Sequence, residues 1–271
     1  MEDRPMSILQ HLDELRRRLF LSAIVLTIAT GFCFYYGYDF LRDLIRGPLD
    51  ALDPKTTNPF GKFSPLVDFM RPYLMGNNVV GHVPFRAASI MEVFMVRFKL
   101  SLMGGAILSA PFIVYQVWRF VGTGLLTRER SAITRYIPLS LTLFVLGLGF
   151  GYFGAMPLAL MYLLTVDPSV ELLLMYGQYF GTMLLMLVMF GLAFQLPLVA
   201  MALARLGIMS AKSLASSRRY AIVIIFIAAA IITPSPEPFS QCLLAIPMVG
   251  LYELGIWLAR AAEKRAAKAA G

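Results

Sequence analysis

The sequence predicts an all-α polytopic membrane protein: a bundle of six transmembrane helices forming a single integral membrane domain over residues 1–271. Three observations predict it. Of the 271 residues, 58% are hydrophobic and only 15% charged, and a mean hydropathy of +0.71 is too apolar for a soluble domain of this size. Apolar runs of about the length needed to cross a bilayer recur along the chain. Basic residues collect in alternate connections between those runs, the bias that marks loops on the cytoplasmic side.

The first run, Leu19 to Phe40, follows a charged amphipathic segment at residues 1–18. It has the length of a full span and no small-x-small cleavage site follows it, so it is expected to stay in the mature protein. Residues 41–92 form the one sizeable outer connection, expected as a cap over the outer helix ends. Pro48, Pro54, Pro59, Pro65, Pro72 and Pro84 forbid one long helix there and favour short helical pieces joined by turns. Further runs are Val93 to Trp118, Tyr136 to Leu164, Tyr176 to Ala204, Tyr220 to Ile232 and Cys242 to Leu258, with a tail at residues 259–271. The Tyr220 run is short, which calls for a thinned bilayer or shielding by neighbours. Pro111, Pro138, Pro157, Pro197 and Pro247 punctuate the spans and predict kinked rods in a concave, open bundle. No inverted repeat of the kind common in secondary transporters is visible.

Lys and Arg counts orient the bundle. Sixteen of the 24 basic residues fall in the N-terminal segment, the connections around Arg119 to Arg135 and Arg205 to Arg219, and the tail. These face the cytoplasm, which places both termini there. The connections around Asp167 to Glu171 and Pro234 to Ser240 contain none. A net charge of +8 could suggest nucleic acid as a partner, but short basic clusters between apolar runs are those of loops facing anionic lipid, so nucleic acid is excluded.

Cys33 and Cys242 lack metal-ligand spacing and read as buried small residues. His11 and His82 fall on opposite faces, and no His-Glu-x-x-His or Gly-x-Ser-x-Gly motif occurs, so neither an enzyme, a metal site nor a cofactor is expected. A small-solute secondary transporter would need paired charges or broken glycine-rich helices at mid-depth. Gln195 alone stands there, two residues before Pro197. A buried amide at that depth needs partners, and the carbonyl freed by the proline is one candidate.

Glu14 and Glu129 lie among arginines at the edges of apolar runs, where positive charge is the rule. Carboxylates beside a bilayer surface are suited to a basic partner, because a guanidinium can bind both oxygens through parallel hydrogen bonds. Pairing of Glu129 with Arg128 or Arg130 is the competing reading. Trp118 reads as an interfacial belt residue, Arg17 and Arg18 as positive-inside anchors, and the Met183 to Met189 stretch as lipid-facing or packing surface. Glu253, inside the last run, either faces a cationic or hydroxyl partner in a groove or snorkels to the cytoplasmic edge.

Four motifs in order carry a family resemblance. His11-Leu-Asp-Glu-Leu-Arg-Arg-Arg-Leu19, Ser109 to Phe120 followed by Glu129-Arg130, Phe190-Gly-Leu-Ala-Phe-Gln-Leu-Pro197, and Phe239 to Pro247 resemble TatC, the polytopic subunit of the twin-arginine protein translocase. Only the outer loop, notably Asp53 to Pro84, diverges. The resemblance implies a receptor in the cell inner membrane for signal peptides carrying two consecutive arginines. It implies single-span TatA and TatB type partners, export of folded cargo driven by the proton-motive force, and a homo-oligomer within a larger complex.

It assigns signal-peptide binding to Glu14, Arg16, Phe120, Glu129 and Arg130, with Arg16 holding the amino-terminal segment against the carboxylates, unless it is a simple anchor. It assigns contact with a partner helix to Gln195, Glu237 and Gln241. Many family members have glutamate where this chain has Gln195, and an amide cannot titrate, so a mechanism needing a proton carrier at that depth does not transfer. Glu237 stands in an expanded form of the family's Pro-Pro-Asp turn and otherwise reads as a solvated acid.

Overall fold

The computed structural model describes residues 8–50, 85–123, 130–165, 173–205, 207–232 and 238–270. The described residues are almost entirely helical. Helix α1 (Ile8–Phe32) passes through a π-helical turn (Cys33–Gly37) into α2 (Tyr38–Asp50). Helix α3 is Ile90–Thr123, and α4 (Arg130–Phe150) joins α5 (Met156–Thr165) through a second π turn, Gly151–Ala155. Helix α6 (Tyr176–Ala193) and α7 (Leu196–Arg205) are two halves of one rod. The short α8 (Ala211–Ser216), α9 (Arg218–Ile232) and the long α10 (Pro238–Ala270) complete the order.

The apolar runs place these helices well, but one end differs from expectation. The first rod continues beyond Phe40 to Asp50, so the start of the expected outer connection is helix, with Pro48 inside it. Pro48 has no N–H for the Leu44 carbonyl one turn back. The Tyr152 hydroxyl donates to that carbonyl at 2.8 Å, and the Tyr179 hydroxyl donates to the Ile45 carbonyl at 3.1 Å. Tyr152 thus supplies the donor that Pro48 lacks, and Tyr179 adds a second tie to the same turn. Residues 51–84 lie outside the described residues.

Proline acts unevenly. Pro157 lies two residues after the Gly151–Ala155 π turn, and Pro197 two residues after the break at Phe194 and Gln195; in both, local rewinding accommodates the missing donor and the ring's clash. Pro111, Pro138 and Pro247 sit inside unbroken α-helix. The π turn at Cys33–Gly37 contains no proline at all.

Two glycines set how closely the rods cross. A Cβ on Gly105 of α3 would lie 2.6 Å from the Thr30 backbone nitrogen of α1, and one on Gly147 of α4 would lie 2.6 Å from the Phe190 carbonyl oxygen of α6. Each approach is closed to any larger residue. The main core lies between α2, α3, α5, α6 and the α9–α10 pair, centred on Met156, Met161, Phe180, Met186, Phe190 and Leu244. Met183 and Met186 are therefore packing surface rather than lipid surface. A two-residue parallel pairing, β1 (Phe85–Arg86) with β2 (Leu174–Met175), ties the entry to α3 to the start of α6.

Five described rods are long and apolar enough to cross a bilayer: Leu12–Asp50, Ile90–Gly122, Tyr136–Tyr162, Tyr176–Arg205 and Gln241–Lys264. Helix α9 has 15 residues, about 22 Å at the α-helical rise and short of a hydrocarbon core of about 30 Å. It is pinned to α10 at its start and near its middle. Arg218 pairs with Glu253, and the Gln241 amide donates to the Phe226 carbonyl at 2.9 Å.

Candidate functional site

The basic clusters that the sequence assigns to one face are gathered at one end of the bundle. Arg18 of α1 donates to the Gln116 side-chain oxygen of α3 at 3.2 Å. Two residues along, Trp118 stacks on Tyr136 of α4 with centroids 5.3 Å apart, and the Arg205 guanidinium, at the end of α7, lies 5.1 Å from the same tyrosine ring. Trp118 also packs with Leu198, Met201 and Ala262. Trp118 is thus a buried joint between four helices, not a belt residue facing lipid.

Glu14 and Arg18 form an ion pair one helical turn apart, in the order of signs that suits the helix dipole. Arg18 is only 8% exposed, which corrects its reading as an anchor reaching into headgroups. Its Nε is buried without a hydrogen-bond partner. Arg16 is outward-facing. The arginine that meets Glu14 is Arg18, because residues four apart share a helix face and residues two apart do not. Phe120 lies half-buried one turn beyond Gln116. Glu129 lies outside the described residues, as does the side chain of Arg130, which opens α4.

A second polar junction lies deeper. Gln195 and Ser140 each stand ten residues from the Arg205 and Arg130 ends of their rods, about 15 Å along the axis and so near mid-depth. The Ser140 hydroxyl donates to the Gln195 side-chain oxygen at 2.6 Å, and the Gln195 amide donates back to the Ser140 carbonyl at 2.9 Å. The amide therefore crosses to α4 and does not turn to a carbonyl freed by Pro197. One N–H and one lone pair of the amide remain after these two bonds. Gln241 is engaged with Phe226 as described above, and Glu237 lies outside the described residues.

These geometries agree with the comparisons. The family model for the Sec-independent protein translocase protein TatC matches residues 10–247. The chain belongs to the TatC family. It is 33% identical over 261 residues to the TatC protein of Carboxydothermus hydrogenoformans, covering 96% of this chain and 95% of the relative. It is 31% identical over 272 residues to TatCy of Bacillus subtilis, covering 99% and 94%. The crystal structure of the twin-arginine translocase receptor TatC superposes with a TM-score of 0.74 at 32% identity, covering 93% of this chain and 99% of that one.

Membership in the TatC family makes this a multi-pass protein of the cell inner membrane and a component of the Sec-independent protein translocase, a transport subunit rather than an enzyme. Among the described residues no cluster of His, Cys, Asp or Glu could hold a metal ion.

Sequence reasoning left several residues of these polar junctions unassigned. Gln116 was legible as a polar residue within an apolar run, and Arg18 as the i+4 partner of Glu14, but neither signal shows that they meet across 98 positions. Arg97 is a cation inside the second apolar run. Its guanidinium donates to the Phe34 carbonyl of the first π turn at 3.1 Å and lies 4.9 Å and 4.7 Å from the Phe34 and Tyr38 rings. Glu253 has the cationic partner that was one of its two readings: Arg218 binds both of its oxygens, at 2.6 and 3.0 Å.

Proposed function

We propose that this TatC protein is the receptor for twin-arginine signal peptides and the core subunit of a translocase that exports folded proteins with the proton-motive force. The observation that carries the reading is the Glu14 carboxylate, partly exposed at 30% and fixed on the face of α1 that meets Gln116 of α3, with Phe120 one turn further on. An acceptor-only group held where water is partly excluded suits a guanidinium, whose fork can take both oxygens. The Phe120 ring offers an apolar surface to the hydrophobic stretch that follows the arginine pair. Glu129 supplies a second carboxylate, beside Arg130 at the start of α4, and Arg16 holds the amino-terminal segment.

In this reading α9 is the sixth crossing, the bundle is concave, and both termini are cytoplasmic. TatA and TatB type single-span subunits pack beside Gln195, using its remaining donor, and near Glu237 and Gln241. The protein forms homo-oligomers within the larger complex. A solute-transport reading draws no support from the mid-depth Gln195–Ser140 pair, which is neutral and bonded reciprocally between two helices. Charge exchange tests the receptor: Glu129→Lys is expected to abolish crosslinking of a twin-arginine signal peptide while the membrane level of the protein stays unchanged, and undiminished crosslinking overturns the assignment.

A further inference from the structure

The receptor reading leaves an electrostatic difficulty. Over residues 13–18 the acids Asp13 and Glu14 face the arginines Arg16, Arg17 and Arg18, so this turn of α1 carries a net positive charge. The Glu14 carboxylate is moreover already bonded through one oxygen to the chain's own Arg18. An incoming pair of guanidinium groups therefore meets a carboxylate that is neutralised and half occupied. We propose that Arg18 is a resident competitor for Glu14, held in reserve by Gln116, and that it sets the threshold of charge and geometry a signal peptide must exceed. The proposal rests on the receptor reading and adds to it a specificity-determining residue.

The geometry supports exchange in place of permanent pairing. Arg18 divides its donors between two helices: one terminal nitrogen to Glu14 on α1, the other to the Gln116 oxygen on α3. When a ligand guanidinium takes Glu14, Arg18 keeps its bond to Gln116 and shifts toward α3 without leaving its buried site. Its Nε, buried and unbonded, retains a free donor for the shifted position. A neutral amide is a weaker partner for the cation than a carboxylate, because charge-assisted bonds are roughly twice as strong. At rest, therefore, Arg18 stays with Glu14. A single arginine replaces that contact only one for one, and a lysine pair offers point charges without the planar fork that matches a carboxylate. A twin arginine displaces it and gains a second charge-assisted contact, so the resident cation filters for pairs.

The test uses the purified full chain in lipid nanodiscs and a fluorescent twin-arginine signal peptide, with the same peptide carrying a lysine pair as the weak probe. Glu14→Gln is the control for the receptor reading. Arg18→Met should raise affinity for the lysine-pair peptide by roughly tenfold, the weight of one charge-assisted contact. Gln116→Glu keeps Arg18 in place but offers it a carboxylate on α3, so it should draw the cation off Glu14 and raise affinity in the same direction, while Gln116→Leu should not. If Glu14→Gln lowers binding but Arg18→Met and Gln116→Glu leave it unchanged or weaken it, Arg18 is a purely structural cation and the competitor is refuted while the receptor stands. If Glu14→Gln itself leaves twin-arginine binding intact, the receptor reading fails instead. Arg18→Met tests packing as well as charge; Gln116→Glu retains the guanidinium and decides the matter should the first variant not fold.

Discussion

The two polar junctions of the bundle are built from similar parts and differ in what they leave open. At the inner end, Glu14, Arg18 and Gln116 join α1 to α3 through a buried cation, a partly exposed carboxylate and a guanidinium nitrogen without a partner. Near mid-depth, Ser140 and Gln195 join α4 to the α6–α7 break through two reciprocal neutral hydrogen bonds. The first junction is charged and incompletely bonded; the second is neutral and reciprocal. Unused hydrogen-bonding capacity at a charged site is costlier away from water than at a neutral amide, and so marks the charged junction as the one suited to a charged ligand. On the receptor reading, the charged junction is the one that takes the ligand.

Breaking either helix crossing should have the largest effect. Gly105→Leu in α3 forces a side chain into the Thr30 backbone, and Gly147→Leu in α4 forces one into the Phe190 carbonyl. Overpacking against backbone costs on the order of 3 kcal/mol or more. Both variants should lose folded protein, read as membrane abundance and as thermal midpoint in detergent; a Gly105→Leu protein with normal abundance and signal binding would show that the α1–α3 contact does not hold the inner junction together.

A neutral cut at mid-depth sharpens the contrast. Ser140→Ala removes the donor to Gln195, and a buried polar group left unsatisfied costs about 1–3 kcal/mol. The thermal midpoint should fall while crosslinking of the signal peptide to Phe120 stays unchanged, since the recognition site lies elsewhere. Gln195→Leu should produce a similar thermal loss and also weaken co-purification of a single-span partner. Unchanged association would remove Gln195 from the partner surface and leave it a scaffold residue.

The smallest effect is expected at Arg218. Its bond to Glu253 is geometrically good, but both side chains are nearly half exposed, and pairs of that kind contribute about 0–1 kcal/mol. Arg218→Ala should shift the thermal midpoint little. A large loss would mean that the short α9 depends on this clamp for its position, and would move Glu253 from an edge charge to a structural one.

The order of the long helices was legible because bilayer burial demands apolar runs of a set length, and local composition carries that demand; of the six expected runs, five are long enough to cross among the described residues. Pro157 and Pro197 were legible as interruptions, since each removes a specific local hydrogen bond. The unbroken helices through Pro111, Pro138 and Pro247 were not distinguishable from them, because what restores a helix around proline comes from neighbours. The π turn at Cys33–Gly37 has no such local mark; its backbone accommodates the cation–carbonyl contact from Arg97, 63 positions away. Of the candidate site, Glu14 was legible as an acid out of keeping with its basic surroundings, and Phe120 only through the family resemblance. Arg18 was misread because a buried and an anchoring arginine look alike in a basic cluster.

The sequence by itself determined an α-helical membrane bundle, its approximate spans and membership in a translocase family. These follow from hydrophobic length, charge and motifs, which are properties of residues close together in the chain. Tertiary structure alone decided that Arg18 reaches Gln116, that Ser140 closes on Gln195, that Trp118 is buried, and that Tyr152 completes the helix end at Pro48. Each is a contact between distant positions, made only when rods with close-approach glycines cross, and in an apolar medium it is such crossings that select which polar groups find partners and which remain open.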